Sequence, residues 1–263
     1  MVSKEVLLQK YEVERKSIRA VAQEINKAPS TILKLLKQHN IPVRNKSQSR
    51  LLHFEVNETV NSDFFKTMSP DLAYILGLWI TDGCAYDRGS YSIGLKDKEV
   101  IQWVADKIGY KNKIWEITEK LNGSKRYFIQ FTNQIAKETF DKYGVVPNKS
   151  LITKIPTLPK EFIPHFVRGV FEGDGSIGKY KYSYSFSIVS ASEEFIVGIK
   201  NIIESEIGGD RTIKFDKRGN GLYSYNIYGK ETLNCLGEWL YPIGVFGMER
   251  KKIKFAELAS ELI

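Results

Sequence analysis

Cysteine is scarce in this 263-residue sequence: Cys84 and Cys235 are the only two. Two distant thiols give neither a disulfide framework nor the paired spacing of a zinc site, and predict reduced, half-buried packing residues. The three histidines, His39, His53 and His165, lie too far apart to read as a metal or general-base cluster. No nucleophilic serine or cysteine constellation appears. Long apolar runs are missing as well. Nothing approaches the length of a membrane span, and the opening MVSKEVLLQKYEVERK lacks the apolar heart of a signal peptide, which predicts a cytoplasmic protein. An N-terminal Cys or Ser and a C-terminal His-Asn pair are both absent, which argues against a self-splicing intein.

An apolar fraction of 42% and an aromatic fraction of 12% supply ample core for one large domain and a small one. The net charge of +8 is concentrated at one end. Residues 1–50 hold 11 Lys/Arg against 4 Asp/Glu, whereas residues 51–263 hold 28 against 27. A strongly basic head on a near-neutral body predicts a polyanionic partner for the head.

The organising feature is a doubled motif: ILGLWITDG at 75–83 and VRGVFEGDG at 167–175. Each is an apolar helical run ending in Asp-Gly, with a glycine followed four positions later by a small residue: Gly77 with Thr81, and Gly169 with Gly173. Residues four apart share a helix face, so each helix offers a stripe without bulk. Two such stripes can pack backbone to backbone, which would bring Asp82 and Asp174 together. An aspartate at the negative end of a helix dipole is disfavoured, and two apposed carboxylates repel. A hard divalent cation such as Mg2+ relieves both costs, so the pair reads as metal ligands.

These residues, with their surroundings SPDLAYILGLWITDG and PHFVRGVFEGDGSI, resemble the two motif helices of a LAGLIDADG homing endonuclease over about residues 64–258. The resemblance implies an α+β fold of two pseudo-symmetric αββαββα halves. It also implies a metal-dependent, site-specific endonuclease cutting both strands of duplex DNA, with the backbone carbonyls of Thr81 and Gly173 as further metal ligands. A catalytic lysine near the start of a half's final helix is best matched by Lys230; the first-half counterpart falls near Asn133 and Gln134. The family's first acidic position is Ile80 in one copy and Glu172 in the other. A glutamine often found after the first hairpin is replaced by Leu95 and Ser190. A DNA-binding regulator that has lost cutting and an intron RNA maturase are the alternative readings; retention of both aspartates favours the enzyme. A monomer needing no protein partner and no membrane is expected.

The pattern places a small helical domain at 1–43, a basic linker at 44–69, the first half at 70–146, a connector at 147–158 and the second half at 159–263. Pro29-Ser30-Thr31 starts a third short helix after a tight turn, an order that resembles a helix-turn-helix DNA-binding module. Ser30, Thr31, Lys34 and Lys37 would face the groove. Arg44, Lys46 and Arg50 would follow phosphates. In the body, period-two alternation predicts an open sheet face bearing Ser90, Ser92, Lys96, Arg126, Gln130 and Thr132 in the first half. In the second it predicts Lys179, Lys181, Ser183, Ser185, Ser187, Thr212, Lys214, Ser224 and Asn226. A face of this kind can enter a major groove. Lys149 and Lys154 in the connector, and Arg250, Lys251 and Lys252 at the last helix, are further candidates for the DNA backbone.

Overall fold

The computed structural model describes residues 2–46, 48–49, 59–87, 89–119, 123–180, 183–216 and 221–261. The chain forms two compact units, residues 1–58 and 59–263. Arg50 and Lys181 lie outside the described residues, as do the turn residues Asn122, Gly219 and Asn220.

In the first unit, helix α1 (Lys4–Leu7) runs on as a π-helical stretch through Val13, followed by α2 (Ile18–Glu24) and α3 (Pro29–Gln38). Ser3 and Ser17 cap the first two helices, and Pro29 occupies the first turn of the third. Between α2 and α3, Asn26 takes a left-handed conformation (φ 53°), which turns the chain sharply. Leu7, Tyr11, Val21, Ala22, Ile32, Leu36 and Ile41 form the core.

The second unit opens on α4 (Asp63–Lys66), which buries Phe65 against Phe131 and Phe140. Residues 59–69, read from sequence as linker, thus lie within the compact body, because Val60 and Phe65 enter its core. The first half then runs α5 (Pro70–Thr81), β1 (Gly83–Tyr86), β2 (Ser90–Leu95), α6 (Lys98–Lys107), β3 (Trp115–Thr118), β4 (Lys125–Thr132) and α7 (Gln134–Lys142). The second half repeats the order: α8 (Ile163–Asp174), β5 (Gly175–Tyr180), β6 (Ser183–Ser190), α9 (Glu193–Ile207), β7 (Ile213–Asp216), β8 (Leu222–Tyr228) and α10 (Lys230–Leu240). Helix α11 (Glu249–Ser260) follows. Both sheets are antiparallel, ordered β1-β2-β4-β3 and β5-β6-β8-β7. The αββαββα repeat is therefore realised twice.

Helix α5 begins as its sequence dictates: Ser69 accepts from the Leu72 amide at 3.1 Å, with Pro70 in the first turn. It is apolar all round because it is buried all round, from Leu72 to Ile80. Its partner α8 starts after a 3-10 turn at Lys160–Phe162. The glycines that follow the two acids do not act as left-handed caps. Gly175 is extended (φ −96°), and Gly83 is not among the residues with positive φ. They are required for space: a Cβ at Gly83 would press on the Trp79 ring, and one at Gly175 on Phe171. Each departing strand folds back onto the residue four positions earlier in its own helix.

Among the described residues, no helix is long and apolar enough to cross a membrane.

Candidate metal centre and nucleic-acid interface

Helices α5 and α8 meet at their glycines. A Cβ on Gly77 would sit 2.9 Å from the Gly169 Cα and 2.8 Å from the Val170 nitrogen; one on Gly169 would sit 3.0 Å from the Gly77 Cα. At the last turn, Gly173 abuts Thr81 and lies within reach of the Asp82 carboxylate, whose Oδ2 would be 2.7 Å from an added Cβ. The small faces anticipated from spacing thus touch, and the acids at their ends are electrostatically coupled.

That coupling shows in their ionisation. Burial first, then the negative charge of Asp82, pushes the Asp174 carboxyl up from 3.8 to about 6, although Asp174 still presents surface to solvent. Asp82 is also raised by burial, against the pull of Lys251, Arg126, Lys149 and Arg250. Between the two pKa values the folded chain binds more protons at Asp174 than the unfolded chain, so this group's contribution to stability declines as pH rises from about 4 through about 6. Without divalent cation, the melting temperature of wild type relative to Asp174→Asn should fall across that window. Magnesium should raise the wild-type value at pH 7 and have little effect at pH 5, as scanning calorimetry would show.

Two buried lysines, neither of them predicted to act at the acids, complete the centre. Lys149 donates to the Gly83 carbonyl. Lys251 donates to the carbonyls of Phe171 (2.6 Å), Glu172 (2.8 Å) and Gly175 (2.7 Å). Each therefore holds the chain where its own motif helix gives way to a strand, a place rich in unpaired carbonyls. Their charges reach across: the strongest cationic neighbour of Asp82 is Lys251, and that of Asp174 is Lys149. Burial lowers both ammonium groups, Lys251 to about 8. Sequence offered one weak clue, since each lysine follows the glycine that ends its half, Gly144 or Gly244. The offsets are unequal, and that hid the pairing.

Lys230 is a correction. It lies at the start of α10 as expected, but its ammonium pairs with Glu261 at 2.8 Å rather than with the acids. Its first-half counterpart Asn133 caps α7 and donates to Ser62. Glu172 likewise stays out of the centre. It is buried and accepts from Tyr74, from Tyr241 (2.8 Å) and from the Met248 amide (2.8 Å), tying α8 to α5 and to the chain after α10. His165 faces Arg168 (3.1 Å), a packing role.

Among the described residues, no third His, Cys, Asp or Glu joins Asp82 and Asp174 in a metal-binding group. Two hard carboxylates, both raised by burial and Asp174 further by the charge of Asp82, with the helix-end carbonyls of Thr81 and Gly173, suit a cation that keeps several waters and takes substrate phosphate as ligand, as magnesium does.

The open sheet faces hold most of the predicted set. Ser90 pairs with Thr132 and Ser92 with Gln130; the Gln130 amide donates to Ser90 at 3.1 Å. Ser176 meets Ser187 at 2.8 Å, and Asn226 donates to Ser224 at 3.0 Å. Ser183, Ser185, Thr212 and Lys214 also face outward or lie exposed, as does Lys96 beyond β2. Arg126 is half-buried and donates to the Gly94 carbonyl at 3.2 Å. Lys179 is a second correction. It pairs with buried Tyr184, so it lies on the helix side and binds Glu261 at 2.6 Å. Tyr180 pairs directly with Ser183, and paired residues share one face, so the alternation of β5 does not carry on into β6. The exposed or half-buried Tyr86, Trp115, Ile117, Phe128 and Tyr228 belong to the open faces and were missed.

In the head, Ser30, Thr31, Lys34, Lys37 and Lys46 are exposed. Arg44 is engaged internally: its guanidinium stacks 3.7 Å over Tyr11 and donates to the Lys16 carbonyl.

Residues 161–237 match the family model of the LAGLIDADG-like domain. With the same topology repeated in the first half, the chain has the LAGLIDADG fold in its single-chain, two-motif form. Among solved structures it is similar to the homing endonuclease I-WcaI bound to its DNA recognition sequence, at 14% identity and a TM-score of 0.51, covering 82% of this chain and 97% of that one. Full-length DUF199/WhiA from Thermatoga maritima is similar at 15% identity and a TM-score of 0.51, covering 77% of this chain and 65% of that one. By sequence it is 29% identical to the "Probable translation initiation factor IF-2" of Methanocaldococcus jannaschii, over 61% of this chain but 14% of that protein.

Proposed function

We propose that this chain is a magnesium-dependent endonuclease cutting both strands of a specific DNA duplex, with its basic head, read as a helix-turn-helix, adding contacts outside the cleavage site. The observation that carries the reading is the close contact of α5 and α8, glycine against glycine and Gly173 against Thr81 and Asp82, which brings two partly buried carboxylates under the charges of the buried Lys149 and Lys251. When bound, a divalent cation supplies Lewis acidity and offsets charge on the scissile phosphate. Asp82 and Asp174 would hold the cation, and their carboxylate oxygens would orient the attacking water by accepting its hydrogens. Lys251, with all three ammonium hydrogens on carbonyls, is a positioning residue: it holds the end of α8, and its charge favours the ionised form of Asp82. Lys149 donates to the Gly83 carbonyl alone among the described residues, so its remaining hydrogens can meet phosphate. The two half-sites are therefore unequal.

The test is selection of cleavable sequences from a randomised duplex library with magnesium. Staggered double-strand products support the reading. Retention of specific duplexes without any nicking would instead identify a non-cutting DNA-binding regulator. On a selected site, Lys149→Met should slow one strand's cleavage roughly a hundredfold. Lys251→Met should destabilise by about 1–3 kcal/mol, because it strands buried carbonyls, as urea melts would report.

A further inference from the structure

The two sheets can be compared row by row from a common origin, since Gly83 pairs with Ile93 and Gly175 with Ile188 at the ends of the motif helices. The outward row Cys84–Ser92–Gln130 then corresponds to Ser176–Ser187–Asn226. Both rows have two short residues and an amide. In the next outward row the halves part. The first half has Gly94, Phe128 and Trp115, where the second has Val189, Ser224 and Lys214.

Gly94 lets the aromatic row lie flat: a Cβ there would come within 2.7 Å of the Phe128 ring, which therefore lies across β2. Trp115 is 50% exposed, and Ile117, opposite Arg126, is 52% exposed. The margin is cationic. Lys96 and Lys113 are exposed, and the Arg126 guanidinium stands 5.8 Å from the centre of the Phe128 ring. An apolar floor within a positive rim complements a major groove, where the thymine 5-methyl is the one apolar group on a base edge and phosphates line the borders. A purely apolar protein partner would not call for the rim.

We infer, resting on the DNA reading above, that the two halves read their half-sites by different chemistry. The first selects thymine methyls through Phe128, Trp115 and Ile117. The second reads hydrogen-bonding base edges through Ser224, Asn226 and Lys214.

The test uses the full chain without divalent cation, so that cutting is not required. Duplexes are selected by binding from a randomised library, and the thymines of each half-site are then replaced by deoxyuridine, which lacks only the methyl group. Affinity should drop roughly fourfold for each contacted thymine in one half-site and stay unchanged in the other. Trp115→Ser, an exposed position outside the core, should reduce that sensitivity and relax the selected thymines in the same half-site. Uracil without effect, or with equal effect on both sides, would overturn the inference while leaving DNA binding intact. Failure to retain any duplex would overturn the DNA reading and this one with it.

Discussion

Asp82→Asn and Asp174→Asn should each lower double-strand cleavage by roughly a thousandfold or more, the scale on which losing one preorganised electrostatic group at reacting atoms acts. Binding to the same duplex should remain within a few-fold, because neither carboxylate attracts a polyanion. The physical reason lies in what the fold tolerates. It holds two acids at the negative ends of two helices, partly out of water, with Asp174 raised to about 6. An asparagine relieves that repulsion, so each variant should melt higher than wild type in the absence of magnesium at neutral pH. Loss of cutting combined with gain of stability separates a functional acid from a structural one. Full cleavage by either variant in a plasmid-nicking assay would remove the shared centre.

The second large effect concerns the contact between the helices. Gly77→Ala adds one methyl group, yet that carbon would fall against the Phe166 carbonyl and within 2.8 Å of the Val170 nitrogen, both backbone atoms that cannot rotate away. Separating the helices to admit it would strip contacts from Leu76, Leu78, Val167 and Val170 and shift the acids apart. Destabilisation of about 3 kcal/mol or more is expected for Gly77→Ala or Gly169→Leu, at or beyond the upper end for overpacked cores. Guanidinium unfolding would measure it, and wild-type behaviour at Gly77→Ala would contradict the close approach. Gly178→Ala is the control, since a Cβ there meets nothing within 4 Å.

What could be read in advance follows a physical line. Spacing within one helix is local, so the pairing of Gly77 with Thr81, and of Gly169 with Gly173, needed no tertiary knowledge. Alternation within a strand is local too, which is why Ser92, Gln130, Ser187 and Asn226 emerged on the open faces. Errors arose where distant chain segments decide. Lys179 was misplaced because its face is set by the pairing of β5 with β6, and Lys230 because Glu261, 31 positions on, claims its charge. Lys149 and Lys251 looked like surface basics, since burial of a lysine depends on carbonyls supplied from 66 and 76 or more residues away. The exposed Trp115 and Ile117 gave no periodic signal in a strand of four residues.

The reciprocal placement of lysines and acids has a consequence for how the molecule can be divided. A peptide bearing only residues 161–237, the portion that matches the family model, would leave Asp174 without Lys149, Glu172 without Tyr74 or Tyr241, and Gly169 without its opposite number. Each copy of the repeat has become the missing piece of the other. The fold is written twice along the chain, but the centre is written once, across both copies.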